Sequence, residues 1–279
     1  MDDSSPGEAI ARQGTKRIYY YLTYFPPKDT AQRGKIAKEL ASQGGVRLHS
    51  SLWKIQSQNM RQALKVVSKY DPTVLKRSRE IYTPQINFGK QVFDLGSVAI
   101  IAYRLPKKSS GKRMTVLRML RRVPKIKIGS ALLMIPYLKS SRLNAYKGTV
   151  VLQDELFNFL DREGVEAHRL AHLKIVYPSS HERLLELMID REALICEKLT
   201  VSIRGLTHSV RRIENHDLAK LQKLLSFYRS RYRDLQAVAY FMYTFMNIDL
   251  RPSLKKVYNA LVHYRKAIEG KVVQPSVAE

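Results

Sequence analysis

The chain has 279 residues, a hydrophobic fraction of 44% and a formal net charge of +25 at pH 7. This length and apolar content exclude wholesale disorder, and the absence of any apolar run near ~18 residues excludes a membrane-spanning helix. The only cysteine, Cys196, excludes an intramolecular disulfide and a cysteine-based metal cage, and it fits a reducing compartment, so we expect a cytoplasmic protein.

Residues 1–16 are polar and partly acidic, and we expect a tail there rather than a secretion signal. Beyond the tail, two segments align without a gap when the sequence is shifted by 80 positions. Apolar, proline and arginine positions then coincide, as in Tyr20 with Ile100, Pro26 with Pro106, Arg33 with Arg113, Leu40 with Leu120 and Val46 with Ile126. A string of such matches predicts the duplication of one supersecondary unit.

Each copy has the pattern of a strand, a proline-containing turn, an amphipathic helix and a second strand. The first strands are predicted at 17–24 and 97–103, and the second strands at 46–55 and 126–135. A helix at 59–70 follows in copy one; in copy two a helix at 153–163 ends at Gly164 and a strand follows at 167–177. The secondary structure of residues 72–91 is not assigned from the sequence, and Pro84 restricts any strand there to the edge of a sheet.

This order predicts an α+β fold made of two tandem ferredoxin-like α/β sandwich modules, at residues 17–94 and 95–178. The pattern then becomes helical over residues 179–269. One helix runs from Ser180 to about Ile203, Asn215 or Asp217 opens a long helix, and Pro252 lies in the first turn of the last. Two long antiparallel helices of this kind can form a homodimer interface. A tail is expected at 270–279.

No acidic residue occurs between Asp94 and Asp154, although thirteen basic residues do. A cationic surface of this kind attracts polyanions, above all nucleic acid. In a helix at 112–122, Leu117 and Leu120 point inward with Met114, and the arginines point outward, where their forks match phosphate oxygens. The predicted nucleic-acid-binding residues are Lys107, Lys108, Lys112, Arg113, Arg118, Arg121, Arg122, Lys125 and Lys127. The alternative is the solvated helix face of a merely soluble basic protein.

Two further sets allow a functional interpretation but favour a structural one. Arg229, Arg231 and Arg233 form a second basic set, in which Arg229 and Arg233 share a helix face and Arg231 points elsewhere. Such a set is more often a soluble helix face. Residues 19–21 are consecutive tyrosines, which suit base stacking or core packing.

The sequence predicts no catalytic residue, metal or cofactor. His168, His172 and His181 are candidate metal ligands, but His168 and His172 would lie about 13 Å apart on a strand, too far for one ion. Asp29 follows the first strand in a loop without an evident carboxylate partner, and Cys196 lies in an apolar helical stretch typical of packing. No phosphate-cradling glycine loop and no nucleophile motif occur.

Copy two has the order Tyr103-Arg104-Leu105-Pro106, then Arg113 and residues 117–122, then a strand closing on Ile135-Pro136. This order resembles the N-terminal region of the chromate-resistance regulator (ChrB) family, and the arginines at 229–233 resemble that family's arginine-rich C-terminal helix. The resemblance covers roughly Gly96 to Ile268, with Leu117 in place of the usual aromatic residue. It implies duplex DNA binding and transcriptional control.

Copy one, with Tyr20 to Tyr24, Arg33, Leu40 and Ser50 to Trp53, resembles the small ferredoxin-like endoribonuclease of CRISPR adaptation. In that family an aspartate at the end of the first strand helps to hold a metal. Here Thr23-Tyr24 and, in copy two, Tyr103-Arg104 occupy those positions, and neither supplies the carboxylate. The resemblance therefore implies the fold and nucleic-acid binding without cleavage.

Together these features predict a non-enzymatic nucleic-acid-binding protein, with DNA rather than RNA as its expected partner, although single-stranded nucleic acid fits nearly as well. Two other classes stay open. One is a metal-dependent nuclease with carboxylates outside the family pattern. The other is a protein–protein adaptor that uses the helical arm, with the charge serving only solubility.

Overall fold

The structure, a computed structural model, describes residues 18–105, 110–129, 131–138, 150–210 and 218–272. It is a mixed α+β protein in which the paired strands are antiparallel, so the predicted fold class is confirmed at this level. The chain divides into two compact units, residues 1–76 and 77–279. The tail predicted at 1–16 lies outside the described residues.

Unit 1 builds a four-stranded sheet in the order β2-β3-β1-β4, with its two helices contacting each other. Its elements are β1 (Tyr19–Thr23), α1 (Thr30–Ser42), β2 (Val46–His49), β3 (Leu52–Gln56), α2 (Met60–Val67) and β4 (Thr73–Arg77). Leu22, Leu40, Trp53 and Val67 lie in its core, so helices and sheet bury their apolar faces against each other.

Asp29 has a structural role at the start of α1. Its carboxylate accepts hydrogen bonds from the backbone N–H groups of Ala31 (3.0 Å) and Gln32 (3.3 Å). These donors have no partner within a helix, so an aspartate at the N-cap stabilises the first turn. Helix capping therefore accounts for this loop carboxylate.

Unit 2 starts with a hairpin and continues into four hydrogen-bonded strands in the order β10-β7-β9-β8. The first strand of the hairpin, like β4 of unit 1, lies in the segment 72–91 that the sequence left unassigned. Its elements up to this point are β5 (Gln85–Asn87), β6 (Val92–Asp94), β7 (Ser97–Tyr103), α3 (Ser110–Arg121), β8 (Ile126–Gly129), β9 (Leu132–Pro136), α4 (Gln153–Arg162) and β10 (Ala167–Ile175). Gly164 follows α4 with φ +65°, a conformation that suits the predicted helix stop.

The second strand predicted in each copy is wrong in one respect, because each segment is a hairpin of two strands. Residues 46–55 divide at a turn into β2 and β3, and residues 126–135 divide into β8 and β9. The two hairpins correspond position by position at the offset of 80: Val46 pairs with Lys54, and Ile126 with Met134. In both hairpins the strand pairing shifts register just before the turn. An irregularity of this kind bends the strand and helps the chain to reverse direction over few residues.

Strand β7 is buried along all seven residues, so both faces of the second sheet are covered. On one face, Ile101 and Tyr103 pack with Val116 and Leu120 of α3 and Leu156 of α4. The next helix, α5 (Pro178–Val210), contacts β6, β8 and β10 of the same unit. A strand buried on both sides reads as a continuous apolar run, which explains the sequence of β7.

Three long helices, α5, α6 (Leu218–Met246) and α7 (Arg251–Val272), contact one another in the C-terminal region. Gly270 to Val272, expected in a tail, belong to α7; residues 215 and 217, expected to open α6, lie outside the described residues. The homodimer through these helices stays a prediction. Among the helices of the described part of the chain, none is long and apolar enough to cross a membrane.

Candidate nucleic-acid interface

Helix α3 carries four of the nine predicted binding residues, Lys112, Arg113, Arg118 and Arg121. Its orientation is set by Val116 and Leu120, which are buried in the core of unit 2. Leu117 is half-buried, and Met114, expected to point inward, is 44% exposed. The inward stripe is therefore rotated from the predicted one. Because side chains three and four positions apart share a helix face, Arg118, Arg121 and Arg122 lie along the side next to this stripe.

These three arginines line a groove of about 520 Å³ between α3 and α6. Arg231 and Phe227 lie on the α6 side, and Phe159 of α4 also lines the groove. The ring of Phe227 is 45% exposed, and the guanidinium carbon of Arg231 lies 5.8 Å from its centre. We call this the α3–α6 groove; it combines four guanidinium groups with an accessible aromatic face.

The only carboxylate that lines the described part of the α3–α6 groove is Asp234. Burial raises the pKa of Asp234, while Arg122, Arg121, Arg231 and Arg233 act in the opposite direction. Burial lowers the pKa of Arg121, and the nearby Arg231 lowers it further. One carboxylate therefore faces several guanidinium groups, and Coulomb repulsion among them favours the arrival of an anion.

Arg118 and Arg121 have no carboxylate oxygen within 4.0 Å in the described part of the chain. Lys112 donates a hydrogen bond to the backbone carbonyl of Glu163 (3.3 Å). Arg113 and Lys127 are exposed but lie outside the α3–α6 groove, and Lys107 and Lys108 are outside the described residues. The predicted set is thus only partly brought together.

Lys125 does not belong to the exposed surface, and its predicted role in phosphate contact is wrong for this structure. Its residue exposure is 6%, and its Nζ donates to the backbone carbonyls of Leu120 and, at 3.1 Å, Val123. Leu120 lies in the last turn of α3 and Val123 just beyond it, where a helix leaves carbonyl groups without helical N–H partners. Lys125 therefore completes the end of α3.

Burial lowers the pKa of Lys125 to about 7, and Arg191 of α5 acts in the same direction. Arg191 donates a hydrogen bond to the Lys125 carbonyl (3.0 Å), and the carboxylate of Glu192 lies 3.9 Å from Arg191. Burial also raises the pKa of Glu192. Both buried groups therefore shift towards their neutral forms, as desolvation requires.

We expect the free energy of unfolding to rise with pH between about 7 and 10.5 because of Lys125. In that window the unfolded chain holds the lysine proton and the folded chain does not. The slope from one proton is at most about 1.4 kcal/mol per pH unit. Urea denaturation at pH 7, 8 and 9 should show this slope in the wild type and its loss in Lys125→Met. Lys127→Met, at an exposed position two residues further on, should keep it; equal slopes in all three proteins would contradict the assignment.

The sequence missed the contribution of α6 to the groove. Arg231 does point away from Arg229 and Arg233, which are exposed, but it points towards α3. Its partner Phe227 lies one helical turn earlier, and this spacing of an aromatic residue and an arginine was visible in the sequence. Nothing local, however, indicates that α6 lies across a groove from α3.

Of the histidines and the cysteine considered in the sequence, His172, His181 and Cys196 have contacts that indicate a role in packing rather than in a site. His181 is buried and accepts a hydrogen bond from the N–H of Leu95 (3.0 Å). His168 is exposed, and the ring of His172 packs at a tilt against that of Tyr137, with 4.6 Å between ring centres. Within the described ranges, no three His, Cys, Asp or Glu side chains cluster as a metal ion requires. Cys196 is buried, which raises its thiol pKa to about 11, so it packs as an apolar side chain.

The arrangement of α3, α4 and α6 can therefore bind an anionic chain, and it offers an aromatic ring to a base. Comparisons of the chain with known protein families, with curated protein sequences and with solved structures found no match. The α3–α6 groove itself is consequently the basis on which a function is inferred.

Proposed function

We propose that the protein is a non-enzymatic nucleic-acid-binding protein that acts as a DNA-binding transcriptional regulator. The observation that carries the proposal is the α3–α6 groove, in which Arg118, Arg121, Arg122 and Arg231 face a single carboxylate. Arginine forks bind phosphate oxygens in pairs of hydrogen bonds. Each neutralised phosphate releases condensed counterions, and this release supplies the affinity.

In this mechanism, phosphate binding and the orientation of the nucleic acid depend on different parts of unit 2. Exposed cations outside the groove, such as Arg113 and Lys127, extend the contact to further phosphates. The rigid packing of α3 on the sheet fixes the angle at which the strand runs, since Val116 and Leu120 anchor the helix. Base contacts are not needed for this first level of binding.

Single-stranded nucleic acid is the second candidate partner, and the exposed ring of Phe227 favours it. A base stacked on an aromatic side chain contributes about 1–3 kcal/mol, and duplex DNA does not expose its base faces. Arg231 beside this ring would hold the neighbouring phosphate.

We further propose that the two units are tandem ferredoxin-like modules. The strand order β2-β3-β1-β4 in unit 1 recurs as β8-β9-β7-β10 in unit 2, with a helix after the first and third strands of each sheet. The shared hairpin register supports a duplicated origin. The resemblance to the chromate-resistance regulators is consistent with this proposal and supplies the choice of duplex DNA.

Fluorescence anisotropy with labelled duplex DNA, single-stranded DNA and RNA tests the proposal. If about five phosphates are contacted, the logarithm of the affinity should fall against the logarithm of salt concentration with a slope of roughly −4 to −5 on duplex DNA. No binding of any nucleic acid at low salt would favour the adaptor. Cleavage that requires added Mg²⁺ or Mn²⁺ and survives further purification would favour the nuclease.

A further inference from the structure

A second cavity, of about 510 Å³, lies within unit 2 and shares Arg121, Arg231 and Asp234 with the α3–α6 groove. It is bounded by α3, α5, α6 and the strands β7, β8 and β9. Its volume falls in the range of about 300–1,000 Å³ typical of small-molecule sites. Of the residues that the sequence predicts to bind nucleic acid, Arg113, Arg121, Lys125 and Lys127 line this cavity.

The charge in this cavity is unbalanced. Six basic side chains line it beside two acidic ones, Glu192 and Asp234; the basic residues are Arg113, Arg121, Lys125, Lys127, Arg191 and Arg231. Because burial shifts the pKa values of Lys125 and Glu192 in the directions that favour their neutral forms, the excess of positive charge comes from the four arginines and Lys127. An excess of like charge in partly desolvated surroundings is unfavourable unless an anion offsets it. Arginine predominates among these cations, and its planar fork fits a phosphate group.

The rest of the wall is apolar. Leu105, Leu117, Leu133, Ile195 and Leu235 line the cavity together with the ring of Tyr103. Ligand sites commonly combine such a wall with a few convergent polar groups, which fix the orientation of the ligand. The wall therefore accepts a flat or apolar part of a molecule whose charged end lies among the arginines.

We propose that this cavity binds a small phosphate-bearing organic molecule of the nucleoside monophosphate type. Because Arg121 and Arg231 line both spaces, a ligand phosphate that engages them withdraws them from the α3–α6 groove. The ligand then competes with nucleic acid, and this second part of the inference rests on the proposed function. Through this competition, a rise in the ligand concentration would release the protein from nucleic acid.

Isothermal titration of the full chain with AMP, adenosine and inorganic phosphate, without nucleic acid, tests the site. We expect AMP to bind at least tenfold more tightly than adenosine, which lacks the charge, and than phosphate, which lacks the apolar part. Arg113→Gln with Lys127→Gln, two exposed positions outside the groove, should weaken AMP binding at least tenfold without changing the melting temperature. Arg204→Gln, an exposed arginine of α5 outside both spaces, should leave AMP binding unchanged.

The site is overturned if AMP gives no heat at about millimolar concentration. It is also overturned if adenosine binds as well as AMP, or if the double variant binds AMP like the wild type. The competition is measured separately: saturating AMP should weaken nucleic-acid binding and flatten its salt slope by about two. AMP that binds and leaves nucleic-acid affinity unchanged overturns the competition alone. A protein that binds AMP but no nucleic acid overturns the competition and the proposed function, while the site stands.

Discussion

Reversing two charges, Arg118→Glu with Arg121→Glu, is expected to lower the affinity for nucleic acid by well over tenfold. Both guanidinium groups line the α3–α6 groove, and neither has a carboxylate within ion-pair distance in the described residues. The variant loses two phosphate contacts and adds two repulsive charges, so the salt slope on duplex DNA should flatten by about two. Fluorescence anisotropy across a salt series measures both quantities.

The matched control keeps the same change in net charge at another place. Lys198→Glu with Arg204→Glu reverses two exposed positions of α5 that line neither the groove nor the cavity. We expect a small loss of affinity and an unchanged slope, because long-range attraction is screened beyond a Debye length of about 10 Å. Equal losses in both variants would mean that net charge alone binds nucleic acid, and the α3–α6 groove would not be the contact.

Replacing Gly96 with alanine is expected to destabilise the protein by about 3 kcal/mol or more. Gly96 precedes β7 with φ +68°, a conformation that side chains rarely adopt. A Cβ there would lie 2.6 Å from the carbonyl oxygen of Tyr82 and 2.7 Å from the backbone nitrogen of Pro84. Neither backbone atom can yield easily, since the Ser97 N–H donates to the same Tyr82 carbonyl (2.9 Å).

Replacing Gly205 with alanine is expected to increase the free energy of unfolding instead. Gly205 lies in α5 with no atom within 4 Å of a built Cβ, and alanine in a helix interior stabilises by roughly 0.5–1 kcal/mol over glycine. Urea denaturation of both variants measures the difference. If Gly96→Ala proves as stable as the wild type, residues 82–84 do not lie against Gly96, and the start of β7 is packed differently.

The repeat was the most informative sequence feature for the fold. Apolar and turn residues recur at a fixed offset, and the first helix and the hairpin strands of each unit begin at positions 80 residues apart, as with Val46 and Ile126. The hairpins inside the predicted second strands were missed because each reversal is very short and neither contains the Asn-Gly or Asp-Gly pair that marks a two-residue turn. Residues 72–91, which contain β4 and β5, were left unassigned because strands of three to five residues have too few positions to show a period.

The binding residues were predicted as a linear set, and the structure brings only part of that set together in one groove. Arg118, Arg121 and Arg122 line the α3–α6 groove, whereas Lys125 is buried at the end of α3. Charge alone does not distinguish an exposed lysine from one that satisfies helix carbonyls. Arg231, more than a hundred residues away in the chain, completes the groove and was given a structural interpretation.

The sequence by itself determined most of the helices, where the cationic excess lies and that a residue pattern recurs at an offset of 80, because these properties are local or periodic; the hairpins were not among them. Only the tertiary structure decided that α6 lies across a groove from α3 and that Asp234 is the carboxylate among the arginines. The tertiary structure also showed that Arg121 and Arg231 line both the α3–α6 groove and the second cavity. The physical reason is that helix–helix packing depends on the shapes of whole apolar faces, which bring distant residues together without leaving a local pattern.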